Sequence, residues 1–267
     1  MLQILQCKKC NIWVVLIGIL FLFASQVGAK RDDWNIKKSK HFIIYYQKGS
    51  DEYISQVARY AERYYKSITD YLGFRRFNFW TWKKRCKIYF YLDREEYLKD
   101  TNVANWSRAS VHVIRKEIAT YVKREQFVDY ILPHELGHII FREEVGFDKE
   151  LPLWLDEGIA VLQEKDRKRY LAVAREMARE GGYAPLDELS KIRSYEQISP
   201  LNFYAESASL VEFLLREFGG DRFVTFCRRL RDRGEWEEAL RKTYKFEDLK
   251  ALEEAWVRWL VSGSGDE

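Results

Sequence analysis

No low-complexity tract, no collagen-like period and no internal repeat occurs in the 267 residues, so fibrous and solenoid architectures have no support. An excess of one charge is also lacking. The formal net charge is +4, and two of the basic residues, Lys8 and Lys9, lie in an N-terminal stretch without acids. Beyond residue 29 the chain holds 43 basic against 41 acidic residues. That balance does not point to nucleic acid as a partner, nor strongly to anionic membrane surfaces. Long apolar runs are missing: the run 12–24 is shorter than the ~20 residues a bilayer span needs. Cysteine is sparse, with four residues. Cys7 and Cys10 form a CxxC pair, but no second pair follows at zinc-ribbon spacing. Cys86 and Cys227 remain, and either a bridge or two separate buried thiols would account for them.

Apolar residues make up 47% and charged residues 32% of the chain, as in a soluble globular protein. The length suffices for one good core, or for two small domains sharing a cleft. Residues 1–29 read as an export signal. Lys8 and Lys9 supply a positive start, 12–24 the apolar stretch, and Val27, Gly28 and Ala29 the small side chains of a cleavage site. The expected setting is therefore periplasmic or extracellular. If the leader is not cleaved, it is an anchor holding the protein at a membrane, facing away from the cytoplasm, and that is the one membrane contact expected.

Residues 30–40 are polar and basic and read as a linker. The run 41–47 is a strand candidate. From Tyr53 to the stop at Gly73, apolar residues recur at helical spacing. Residues 74–85 interleave aromatic and basic side chains. That composition suits stacking on sugars, bases or lipid headgroups, and equally suits a loop entering the core strand expected at 87–92. Residues 109–122 read as a hairpin, or as a strand and a loop. Helices are expected over 127–144, 153–165, 170–180, 204–218, 221–233 and 249–261, with a frayed tail at 262–267. The charge run 164–170 reads as a solvated helix face. Strands first and helices after argue for an α+β fold, with the ordered domain over 41–261.

His134-Glu135-Leu136-Gly137-His138 carries the chemistry. Residues four apart share a helix face, so both imidazoles can meet one metal ion with Glu135 beside its water. Pro133 disfavours a helix running through it, so the helix starts there or kinks. A catalytic zinc takes three protein ligands and keeps one position open. Histidine, with only four residues, cannot supply the third: His41 and His112 lie upstream, and a metzincin-type pattern would need His where Glu144 stands. Met177, the one methionine after Met1, has no Met-turn surroundings. The third ligand is therefore expected to be a carboxylate on a following helix.

Eighteen residues after His138, Glu157 stands in Trp154-Leu155-Asp156-Glu157-Gly158. HExxH followed at this spacing by Glu in a W-x-x-E-G segment resembles the gluzincins, and among them the small peptidase MA-like proteins. The resemblance is strict over 129–162 and looser over about 38–262. It implies a zincin-like fold, with a strand-containing upper lobe, a helical lower lobe and zinc in the cleft between. It also implies one zinc per chain on His134, His138 and Glu157, with Glu135 as general base acting on a peptide or protein substrate. Gluzincins place a Tyr or His beyond the third ligand as a transition-state donor; no histidine follows His138, and Tyr204 resembles that position. Asp156 could orient a histidine, or be a helix N-terminal acid facing solvent. An edge strand near His112 would bind substrate backbone, with His112 lining the groove or serving as an ordinary strand residue. The runner-up function is an exported binding or assembly factor that keeps zinc with little turnover; an intact Glu135 speaks against it.

Overall fold

The computed structural model describes residues 34–47, 51–74, 80–103, 105, 107–121, 126–193 and 198–263. The leader and most of the tail therefore lie outside the described residues. No helix among those described is long and apolar enough to cross a membrane.

Five strands form one sheet: β1 (Asn35–Lys38), β2 (Phe42–Tyr46), β3 (Cys86–Phe90), β4 (Ala109–His112) and β5 (Glu117–Thr120), in the order β1-β2-β3-β5-β4. The central strands β2, β3 and β5 are parallel, and both edges are antiparallel. The first strand corrects the linker reading of 30–40. All four of its residues are exposed, so it carries no alternating apolar signal and is held by its pairing with β2. The hairpin reading of 109–122 stands, with β4 at the edge.

On the inner face Phe42, Ile44, Ile88, Phe90 and Ile118 are almost fully buried. They pack on α1 (Asp51–Tyr71), whose Ile54, Val57, Ala58, Ala61, Tyr65 and Ile68 form its buried stripe. The connection from β2 through α1 to β3 is thus a parallel crossover covered by its own helix. The outer face carries a smaller tyrosine cluster of Tyr89, Tyr91 and Tyr97, Tyr97 coming from α2 (Arg94–Thr101).

The remainder is helical: α3 (Leu132–Val145), α4 (Leu153–Val161), α5 (Arg167–Glu180), α6 (Leu186–Leu189), α7 (Pro200–Phe218), α8 (Gly220–Arg233), α9 (Trp236–Tyr244) and α10 (Leu249–Ser262). The short α6 and α9 were not foreseen. One continuous core runs from the sheet to α10, so strands and helices form a single α+β unit. Cys86 and Cys227 are free, buried thiols, which settles against a bridge between them.

Candidate metal centre

Pro133 sets how the HExxH helix begins. A wide π turn, Gln126–Ile131, leads into α3, with Pro133 in its first turn. In an α-helix the proline ring would press on the carbonyl four residues back, that of Asp129. Here that carbonyl is free to accept the backbone N–H of Lys165 at 3.0 Å. The helix starts anew at Leu132, and His134 and His138 keep regular spacing on its buried side.

Two glycines bring three helices into backbone contact around the motif. A Cβ on Gly137, inside HELGH, would lie 3.0 Å from the Cα of Ala160 on α4. A Cβ on Gly158, next to Glu157, would lie 2.3 Å from the Ser207 carbonyl oxygen on α7. No L side chain fits at the second position without moving a helix. The glycines of the HELGH and W-x-x-E-G segments therefore set the distances at which His134, His138 and Glu157 meet.

The three side chains do meet. His134 Nε2 lies 3.2 Å from His138 Nε2. Glu157 oxygens lie 3.6 Å from His134 Nε2 and 3.8 Å from His138 Nε2. A tetrahedral ion about 2.0–2.2 Å from each donor sets donor–donor separations of about 3.3–3.6 Å. The cluster is close to that spacing, and these residues could hold a metal ion.

The far nitrogens are also engaged. His138 Nδ1 faces Asp156 Oδ1 at 3.3 Å, and His134 Nδ1 faces Glu164 Oε1 at 2.7 Å. With each Nδ1–H donated to a carboxylate, both Nε2 lone pairs turn inward beside the Glu157 carboxylate. Acceptors then converge on one point, which is stable only when a cation sits there. The proton affinities agree. Burial opposes charge on His134, yet Glu157 and Glu164 raise its pKa well above the usual histidine value. Burial likewise opposes charge on Asp156, but Arg142 and His138 outweigh it and hold its pKa at about 2. Arg142 Nε and Nη2 donate to Asp156 Oδ2 at 2.9 and 2.8 Å, and its Nη1 donates to the Lys149 carbonyl at 2.8 Å.

Glu135 lies beside this cluster and is wholly buried. Neither carboxylate oxygen has a hydrogen-bond partner among the described residues. Burial raises its pKa, with the two histidines pulling the other way. A carboxylate in this position is costly unless something it attracts is brought to it.

The structure thus joins His134, His138 and Glu157, sets Glu135 beside them, and turns Asp156 inward onto His138. Tyr204 is buried and packs against Tyr170, ring centroids 6.3 Å apart. Ser207, three residues on, presses its carbonyl toward Gly158, so Tyr204 lies on the α4-facing side of α7. His112 does not join the cluster: its Nδ1 accepts the Arg115 backbone N–H at 3.3 Å in the β4–β5 turn. Glu164 is the residue the sequence reading missed. It belongs to the charge run taken for a solvated face, yet its side chain is 10% exposed. Its position just beyond α4, seven residues after Glu157, is the one signal that pointed inward.

Comparison with known families agrees with this geometry. The family model of the peptidase MA superfamily matches residues 99–262. That span covers more than half of the chain, from α2 to the end of α10. The chain belongs to the peptidase MA superfamily. No curated protein matches it. Peptidase MA proteins are usually metal-dependent, and the His134, His138 and Glu157 cluster could bind a metal ion.

Proposed function

We propose that this peptidase MA protein is a zinc-dependent peptidase that hydrolyses peptide bonds, with His134, His138 and Glu157 holding one zinc ion and Glu135 as general base. The observation that carries the proposal is the pairing of a three-donor cluster with a fully buried carboxylate next to it that has no hydrogen-bond partner among the described residues. When bound, zinc supplies a Lewis acid that polarises a carbonyl and lowers the pKa of water to about 7.

The chain's own groups do the rest. Glu157 brings one negative charge to two neutral imidazoles, so the ion with its three ligands is net positive toward developing oxyanion charge. Asp156 and Glu164 hold the imidazoles in the tautomer that aims Nε2 inward. A Glu135 oxygen accepts the proton of the attacking water and returns it to the leaving amine. Burial raises its pKa, which makes it a better proton acceptor than an exposed carboxylate. Tyr204 Oη is proposed as the donor to the transition-state oxygen. The edge strand β4 offers unpaired backbone groups to an extended substrate. His134, Glu135, His138 and Glu157 are each no more than 2% exposed, so a peptide enters only as the surrounding side chains give way.

The exported setting rests on the leader at 1–29, and zinc seated between the strand-containing and helical parts on the family resemblance. A binding factor with zinc and little turnover has no use for Glu135, whose burial with no partner among the described residues is costly. The test is digestion of a mixed peptide library with and without a chelator. Cleavage lost on chelation and restored by zinc is expected; cleavage indifferent to the chelator, or none from zinc-loaded protein, overturns the proposal.

A further inference from the structure

The aromatic and basic stretch 74–85 has no part in the metal centre, and its described portion has an unusual surface. Trp80 is fully buried, packed edge-on against Phe42 at 5.5 Å between ring centroids. Trp82, two residues on, is 82% exposed and is the most exposed large apolar side chain described. It begins a short 3-10 turn, Trp82–Lys84, with φ of +51°, a backbone conformation costly for a bulky residue. The chain accepts strain here and gains no internal burial of the indole.

Sheet register shows what else lies at this end. β2, β3 and β5 are parallel, so the segments that enter them share one end of the sheet. The Lys87 N–H donates to the Lys116 carbonyl at 2.8 Å, tying the entrance of β3 to the β4–β5 turn. That turn carries Ile114, 62% exposed. Lys38, Lys40, Lys84 and Arg115 are exposed at the same end. The acids that reach it are already engaged. Glu62 accepts from Ser39 and the His41 backbone. Glu117 pairs with Lys87 and Arg115. Glu143 pairs with Lys116 and accepts the Trp80 indole N–H. The result is one aromatic and one aliphatic side chain projecting beside Lys38, Lys40 and Lys84, for which no carboxylate partner occurs among the described residues.

We infer that this end of the sheet docks on an anionic lipid surface, with Trp82 and Ile114 entering the headgroup layer and Lys38, Lys40 and Lys84 facing lipid phosphates. Tryptophan favours the membrane–water interface, where the ring is apolar and the N–H remains wet. Each lysine near an anionic surface strengthens binding about fivefold. A single-stranded nucleic acid would want a basic groove with several stacking rings. Here two apolar side chains project from separate turns, and Ile114 offers no face to a base. Docking also leaves the metal centre free. Glu143, which anchors the patch, lies nine residues along α3 from His134, roughly 14 Å at the helical rise.

A fluorescent reporter on the full chain tests this. An environment-sensitive dye is attached at T81C, in an exposed position beside Trp82, with C7S and C10S removing the leader thiols. Cys86 and Cys227 are fully buried and do not react in the folded protein. A second reporter, E237C on α9, serves as the control, since the apolar leader would hold either protein at a vesicle. In vesicles of three parts phosphatidylcholine to one part phosphatidylglycerol, the dye at 81 should shift to the blue and be quenched by brominated lipid. The dye at 237 should not. The signal at 81 should vanish without phosphatidylglycerol, in 1 M salt where the Debye length is about 3 Å, and in W82S/I114S. Equal signals at 81 and 237, no dependence on phosphatidylglycerol, or an undiminished signal in W82S/I114S would overturn the inference. So would an equal shift from single-stranded oligonucleotide in place of vesicles.

Discussion

Each inward-facing imidazole leans on a carboxylate, and the two carboxylates are held differently. Asp156 is gripped by Arg142, which also fixes the Lys149 carbonyl. Glu164 has its 2.7 Å contact with His134 and, among the described residues, no such clamp. Loss of a carboxylate behind a metal-binding histidine typically costs about 10–100-fold in affinity. Glu164→Gln should therefore weaken zinc binding by about that factor, measured by competition with a chromophoric chelator; unchanged affinity would remove Glu164 from the centre. Tyr204 makes a different prediction. As an oxyanion donor, its change to Phe should lower turnover by about 10²–10³ with zinc content unaltered. Unaltered turnover would leave Tyr204 as a packing residue between α7 and Tyr170.

At the scale of elements, α7 does more than carry Tyr204. Glu206, one residue before the Ser207 that meets Gly158, is buried and accepts the Ala184 N–H. It thereby holds the segment between α5 and α6. Burial raises its pKa from 4.5 to about 7, with the Ala184 N–H partly offsetting the rise. A folded-state pKa above the unfolded value means the native state binds the proton more tightly. Its contribution is thus full below about pH 4.5 and is lost as pH rises to about 7, a change on the order of 3 kcal/mol. Glu206→Gln keeps an acceptor for Ala184 and cannot ionise. Urea unfolding of the metal-free proteins at pH 5 and pH 8 should show a larger fall for wild type than for the variant. Equal falls would contradict the assignment.

The same elements show what the sequence could tell. His134, His138 and the stripe of α1 were readable because helical periodicity is local. Glu157 was readable because W-x-x-E-G follows at a family spacing. Glu164 was hidden because its burial depends on how the chain beyond α4 returns against α3, and its neighbours in sequence are charged. β1 was hidden because an exposed edge strand needs no apolar alternation, only a partner. Pro133 announced a break, but the π turn that absorbs it depends on Lys165 taking the released carbonyl.

Taken whole, the molecule has one continuous core from the sheet to α10, and His134, His138 and Glu157 are buried with it. A site so enclosed is consistent with a buried ion, and the feature that separates catalysis from mere metal storage is Glu135. Glu135→Gln keeps the shape, and in this account the residue makes no metal bond, so zinc content should stay at about one per chain, as in a three-ligand centre. The amide cannot accept the proton, and loss of a general base costs about 10²–10⁴ in rate; here the same group also returns the proton, so the upper end is expected. The decisive measurement is peptide hydrolysis by zinc-loaded wild type and Glu135→Gln, with metal content determined on the same samples. The account predicts equal zinc and a rate lower by about 10⁴ in the variant. Wild-type hydrolysis by Glu135→Gln at full zinc occupancy would contradict it.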